Sequence, residues 1–182
     1  MNKKFETDFY AATGRSFSFV KDIKSCFANM LFWGRIEESS NSSFLRKISH
    51  MICSRLMRKR GIEMKFNGNI GGGLVFAHGY NITINGRVKI GQNAVLFKGC
   101  TIGSVRSGAR EGVPQIGDRV VVGCNAFVCG GITVGDDVLI ASNAFVNFDV
   151  PSNSVVIGNP GVVHHKNNPC KDYVRKECYE IV

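Results

Sequence analysis

From His78 to Val150 the chain repeats every six residues. The rungs are His78, Ile84, Ile90, Leu96 and Ile102, then Ile116, Val122, Val128, Val134, Ile140 and Val146. Four residues after a rung stands a second small or branched apolar residue: Ile82, Val88, Ala94 and Cys100, then Val120, Ala126, Ile132, Val138, Ala144 and Val150. A period of six fits neither a helix at 3.6 nor a plain strand at 2.0. It fits short strands that turn a corner after every rung. Three such strands make one triangular coil, and the coils stack at the strand spacing of roughly 4.8 Å. The rung side chain points into the interior and the residue four on fills a corner. Gly, Asn and Asp near the rungs supply the tight or left-handed backbone that corners need.

The ladder assigns a β-solenoid to residues 63–165. It breaks once. Ile102 and Ile116 are fourteen residues apart, and residues 104–115 hold Ser104, Arg106, Ser107, Gly108, Arg110, Glu111, Gly112, Val113 and Pro114. A solenoid gains nothing structurally by ejecting such a loop, and loops on rigid scaffolds often carry function. Residues 1–62 read as a helical segment. Phe19, Ile23, Phe27, Met30 and Leu31 recur at three and four, and Phe32, Trp33 and Ile36 continue the stripe. Glu37 to Ser43 reads as a loop. A second helix is expected over Phe44 to Lys59, ending in Arg55, Arg58, Lys59 and Arg60, with Gly61 behind it. Residues 166–182 form a polar tail.

The net charge of +9 admits an anionic cofactor, an anionic surface or simple solubility. Aromatic and basic residues do not interleave as in a single-strand nucleic-acid groove, so no nucleic-acid partner is expected. Seven Cys, an odd number without a CxxC pair, and a polar Met1–Tyr10 without a secretory signal point to a reduced, cytoplasmic protein. Cys100 reads as a small core residue. No apolar run approaches a membrane span.

His78 is the ladder's one histidine, and Glu63, fifteen residues earlier, is the one carboxylate between Lys47 and Glu111. A histidine steadied by a carboxylate is a general base poised near neutral pH. The alternative readings are a buried, satisfied imidazole and a salt-bridging Glu63. The ladder, Phe76-Ala77-His78-Gly79, the loop and the closing Gly158-Asn159-Pro160-Gly161 together resemble the hexapeptide-repeat acyltransferases, on their serine O-acetyltransferase-like branch. In character the chain is closest to the O-acetyltransferases of polysaccharide biosynthesis.

That resemblance implies a mainly β, left-handed parallel β-helix, an exception to the usual right-handed crossover. It implies a homotrimer with acetyl-CoA between subunits, and no metal. His78 matches the family's base and Glu63 the carboxylate that orients it. Ser104, Cys124 and Ser142 match corner positions whose backbone meets the pantetheine arm. Pro160 matches the proline near the adenine, and Lys166 stands where phosphates would lie. Two departures stand out. An acidic residue precedes the base in serine acetyltransferases, and here it is Ala77; their loop carries an Arg-His pair, and here it is Gly112-Val113.

An ammonium and a carboxylate each need a partner when buried. A neutral saccharide hydroxyl, from a surface or capsular polysaccharide unit, is therefore the expected acceptor, with Ala77, Gly112, Val113 and Ser107 lining its site. Serine remains the alternative, its charges met by Arg106, Arg110 or Glu111. A non-catalytic scaffold is a third reading. A zinc enzyme on this solenoid would need three His, and the ladder has one. A peripheral membrane contact is expected to use the Arg55–Arg60 cluster and the Phe19–Trp33 stripe.

Overall fold

In the computed structural model, which describes residues 2–22 and 25–174, strands of two to four residues occupy Val75 to Ile157. They are β1 (Val75–Ala77), β2 (Thr83–Ile84), β3 (Lys89–Ile90), β4 (Val95–Phe97), β5 (Thr101–Gly103), β6 (Gln115–Ile116), β7 (Val121–Val122), β8 (Phe127–Cys129), β9 (Thr133–Val134), β10 (Val138–Ile140), β11 (Phe145–Val146) and β12 (Ser154–Ile157). Strands of successive coils pair in parallel. The first face is β1-β4-β7-β10-β12, the second β2-β5-β8-β11 and the third β3-β6-β9. On the last coil the third face shrinks to one bridge, Val134 with Val150. A final strand, β13 (Val162–His165), returns antiparallel on β12. The result is the expected left-handed parallel β-helix of five coils.

Register explains the period. Leu96, Val122, Ile140 and Val156 stack on the first face, Ile84, Ile102, Val128 and Val146 on the second, and Ile90, Ile116 and Val134 on the third. Every one of the corner fillers read from the sequence is buried. At two of the corners the left-handed residues line up from coil to coil. One column is Gly61, Asn81, Gly99, Asn125 and Asn143; the other is Gly73, Asn93, Arg119, Asp137 and Asn153. Gly99 is required twice over: its φ is 75°, and a Cβ there would stand 2.0 Å from Asn125 Oδ1.

The structure corrects the start of the ladder. The residue that pairs with Leu96 is Phe76, not His78. The stack also begins earlier, with Ile70 bridged to Ile90. Eight residues, not six, separate Phe76 from Ile84, so the corner between them carries two extra residues. That insertion pushes His78 out of the interior. The six-residue count back from Ile84 fell on His78 because a two-residue slip is invisible to a period read from one end.

Four helices precede the solenoid: α1 (Lys3–Thr13), α2 (Phe19–Asp22), α3 (Cys26–Ser39) and α4 (Ser43–Arg58). Side chains of Asn2, Ser25 and Ser42 cap α1, α3 and α4, each accepting from a backbone N–H of the first turn. α4 is the expected second helix, and Gly61 behind it is left-handed. The first expected helix is divided: α2 ends at Asp22 and α3 runs on to Ser39, into the segment read as loop; Ile23 lies outside the described residues. α1 lies within residues 1–62, the expected helical segment, at a place where no particular helix was singled out. Its buried face is Phe5, Thr7, Asp8 and Phe9.

Arg35 of α3 is wholly buried and joins this segment to the solenoid. Its Nε donates to Asp8 Oδ2 at 2.8 Å, and its Nη1 and Nη2 donate to the carbonyls of Ile70 and Gly71 at 2.9 and 2.6 Å. Asp8 Oδ1 accepts from the Leu74 N–H at 2.8 Å. Met30 and Leu31 are buried, and Phe27, Phe32 and Trp33 pack against the same core. The aromatic stripe is thus used in packing, which removes it from the expected membrane contact. Among the described residues no helix is long and apolar enough to cross a membrane.

Of the tail, residues 166–174 are described. Cys170 is buried against Val95 and Val121, on the outside of the first face. The rest of the tail expected as polar, residues 175–182, lies outside the described residues.

Candidate functional site

His78 follows the last residue of β1, Ala77, at the corner between the first and second faces. Its φ is 54°, a left-handed conformation that costs a β-carbon-bearing residue roughly 1–2 kcal/mol. Its imidazole is exposed. Beneath it, buried Gly79 lies close to the ring of Phe27 and to Phe76, and a Cβ there would stand 2.7 Å from the Phe27 ring. The Arg60 guanidinium sits between two rings, 4.0 Å from the centroid of Phe27 and 4.8 Å from that of Tyr80. Two backbone bonds hold the corner down on the next coil: Lys98 N to Ala77 O at 3.2 Å and Gly99 N to Tyr80 O at 2.9 Å. The first turn of α3, through Phe27, and the residues just after α4, through Arg60, therefore build the floor on which the imidazole stands.

Register carries that corner down the solenoid. Ala77 pairs with Phe97, Leu96 with Val122, and Val122 with Ile140. His78, Lys98, Cys124 and Ser142 are thus successive residues of one edge, with about 4.8 Å between coils. Cys124 and Ser142 line a cleft of about 190 Å³ with Phe97, Leu139 and Tyr173. The Tyr173 ring meets Phe97 edge-on at 6.0 Å. Pro160, exposed beyond Ile157, extends the same edge. Lys98 and Tyr173 were not singled out from the sequence. Lys98 could have been found by counting two residues past Leu96, as His78 stands two past Phe76. Tyr173 had no signal, because nothing in the tail's composition tells which face it covers.

Other expected residues lie elsewhere. Ser104 is one face away, at the corner after β5, where its hydroxyl accepts from Asn85 Nδ2 at 3.3 Å. Lys166 follows β13, and its N–H bonds Asn153 O, on the far edge of the first face from Cys124 and Ser142. Glu63 is exposed and pairs with Thr83, at the head of the second face and beside the His78 corner. Among the described residues no side-chain hydrogen bond joins Glu63 to His78.

The loop leaves from the Ser104 corner and folds back as a miniature hairpin. Val105 and Gly112 exchange both backbone bonds at 3.0 Å. Arg110 O accepts from the Gly131 N–H, and Arg110 Nη1 reaches Asp149 Oδ2 at 3.2 Å. The Thr133 N–H first, and then Arg110, hold the Asp149 carboxyl below the usual carboxylate range. Arg106, Ser107 and Glu111 are exposed on this hairpin, and Gly112 and Val113 half-buried. Burial pushes the Cys100 thiol up to about 12, and Cys170, helped by Asp137, to about 12, so neither serves as a nucleophile.

Residues 114–147 match the family model described as bacterial transferase hexapeptide, six repeats. A serine acetyltransferase of Helicobacter pylori is 39% identical over 99 residues, which are 54% of this chain and 58% of that protein. One of Staphylococcus xylosus is 33% identical over 129 residues, 62% of this chain and 60% of its own. The repeats are those of bacterial hexapeptide transferases, and the chain resembles the hexapeptide-repeat acyltransferases on their serine O-acetyltransferase-like branch. It spans somewhat more than half the length of the curated relatives it matches. The fold agrees. A serine acetyltransferase in complex with CoA superposes with a TM-score of 0.70 at 18% identity, covering 88% of this chain and 68% of the other. The Neisseria gonorrhoeae serine acetyltransferase in complex with serine gives 0.67 at 21% identity, with 89% and 68% covered.

These findings overturn the saccharide acceptor and the role in polysaccharide biosynthesis expected from the sequence. The relatives and the structural neighbours named above are serine acetyltransferases, which favours the alternative. The expectation failed because it weighed the uncharged Ala77, Gly112 and Val113 above the loop charges it left to the alternative. The hairpin exposes Arg106 and Glu111 near Gly112 and Val113, while Arg110 is engaged by Asp149.

Proposed function

We propose that this protein transfers an acetyl group from acetyl-CoA to the hydroxyl of serine. The observation that carries the reading is His78: an exposed imidazole in a left-handed corner, at the head of an edge that runs through Cys124 and Ser142. The imidazole takes the proton of the serine hydroxyl as its oxygen attacks the thioester carbonyl carbon. A backbone N–H near the loop stabilises the oxyanion. The carbon–sulfur bond then breaks, the imidazolium returns its proton to the CoA thiolate, and O-acetylserine and CoA leave. Glu63 is the positioning carboxylate, reached when substrate closes the corner.

The pantetheine arm lies along the edge past Cys124 and Ser142, toward Pro160, with its backbone contacts at those corners. Arg106 meets the serine carboxylate and Glu111 its ammonium. Ser107 and the half-buried Gly112 and Val113 shape the remaining wall, opposite Ala77.

Geometry favours a trimer as the working unit. In a single chain the whole second face separates the His78 corner from the Ser104 corner where the loop emerges. Three copies around an axis set the His78 corner of one against the loop of the next. The second face carries an apolar pair for such a contact, the exposed Phe127 stacked on the half-buried Phe145 at 5.9 Å. The free thiols of Cys53, Cys100, Cys124, Cys129 and Cys170 fit a reducing, cytoplasmic setting.

The acceptor is tested by offering L-serine, L-threonine and neutral glycans to the purified protein with acetyl-CoA, following free CoA and acetylated product. L-serine is expected to be the preferred acceptor, and Arg106→Ala to raise its KM more than it lowers kcat. CoA release without O-acetylserine would overturn the assignment.

A further inference from the structure

Acetyl transfer leaves the outer face of α4 without a role. The inner face, Ser49, Cys53 and Met57, is buried under α3. At 3.6 residues per turn the opposite side gathers Phe44, Lys47, Met51, Arg55 and Arg58 into one stripe. Its cations are exposed, and so are its large apolar side chains, Phe44 at 73% and Met51 at 63%. Lys59 extends the stripe by one residue. From Ser39 to Ile62 the sequence contains no Asp or Glu. Arg60 does not belong to this face, because Phe27 and Tyr80 hold it at the His78 corner.

We propose that α4 lies along an anionic lipid surface, with Phe44 and Met51 in the headgroup–acyl boundary and the surrounding cations on lipid phosphates. The composition of the stripe decides between partners. A second copy of this chain is a poor occupant: an isologous contact sets the patch against itself, and this patch holds cations with no carboxylate to answer them. A nucleic-acid backbone would satisfy the cations and leave Phe44 and Met51 against phosphates. A bilayer interface offers acidic headgroups and an apolar layer a few ångströms below, which suits both halves of the stripe. The helix, about 24 Å long, presents them on one line. The aromatic stripe of α3 takes no part, since it packs on the solenoid.

The test is sedimentation of the full chain with vesicles. Vesicles of phosphatidylcholine and phosphatidylglycerol in equal parts are expected to bind the protein, and vesicles of phosphatidylcholine alone to leave it in solution. Each cation near the surface is worth about fivefold in partition, so Arg55→Gln/Arg58→Gln is expected to weaken binding roughly 25-fold. Phe44→Ser/Met51→Ser should weaken it with all charges kept. These side chains are exposed, so circular dichroism and the melting temperature are expected to stay put. Should a variant lose helix, the wild type decides by itself, because its binding must fall steeply as salt rises. Equal binding to both vesicle types, or none to the anionic ones, would overturn the proposal. So would variants that alter only the protein's own sedimentation, which would make the stripe a protein–protein face.

Discussion

Single residues hold the corners, and their sensitivity differs with what each corner stacks upon. Gly99 has φ of 75° and lies under Asn125 Oδ1. Gly99→Ala is therefore expected to cost about 1–2 kcal/mol for the left-handed backbone alone, and more for the contact. Denaturant titration would check it; an unchanged midpoint would mean that the column relaxes freely. The thiol of Cys100, pushed up to about 12 by burial, is expected to resist alkylation at neutral pH until the protein unfolds. Mass spectrometry of native and denatured samples would reveal it. The same scale is where the sequence misled. Cys100 was legible as a core residue because its neighbours keep the period. His78 was misplaced as a rung, because the two extra residues before Ile84 leave no compositional trace.

Elements are secured in two unequal ways. Asp8 and Arg35 are both wholly buried and bind α1 and α3 to the first coil. Asp8→Ala leaves a buried guanidinium unanswered and is expected to destabilise by about 3–5 kcal/mol, with much of this recovered in Asp8→Ala/Arg35→Met. Thermal unfolding of both variants would test the pair. The loop clasp is different, since Arg110 and Asp149 are both well exposed. Asp149→Ala should leave global stability almost unchanged. The Asp149 carboxyl titrates below its unfolded value, so the clasp is intact above the ordinary carboxylate range and is lost only as pH falls through the depressed value. Hydrogen exchange of the loop across acid pH would follow it. The solenoid strands and α4 could be read from periodicity. α1 could not, because its buried face includes Thr7 and Asp8, whose partner is far along the chain.

At the scale of the molecule, the ladder determined a β-solenoid and the family resemblance its left hand, as the structure has it. What the sequence withheld was distance. Counting three rungs per coil separates Ser104, two past Ile102, from Cys124, two past Val122, but nothing in the residue order places Lys166 on the far edge from Ser142. The acceptor was misjudged because the uncharged Ala77 and Gly112-Val113 were weighed above the loop charges Arg106, Arg110 and Glu111. In the proposed trimer the loop of one copy would meet the His78 corner of the next, so Phe127→Glu is expected to yield monomers with little transfer. Sedimentation velocity with a parallel assay would test that, and an active monomer would exclude the shared site. The most direct measurement is acetyl transfer to L-serine by wild type and His78→Ala at matched assembly state. Removing a positioned base is predicted to lower kcat about 10²–10⁴-fold with sedimentation and melting unchanged. Turnover of His78→Ala within a few-fold of wild type would contradict the account.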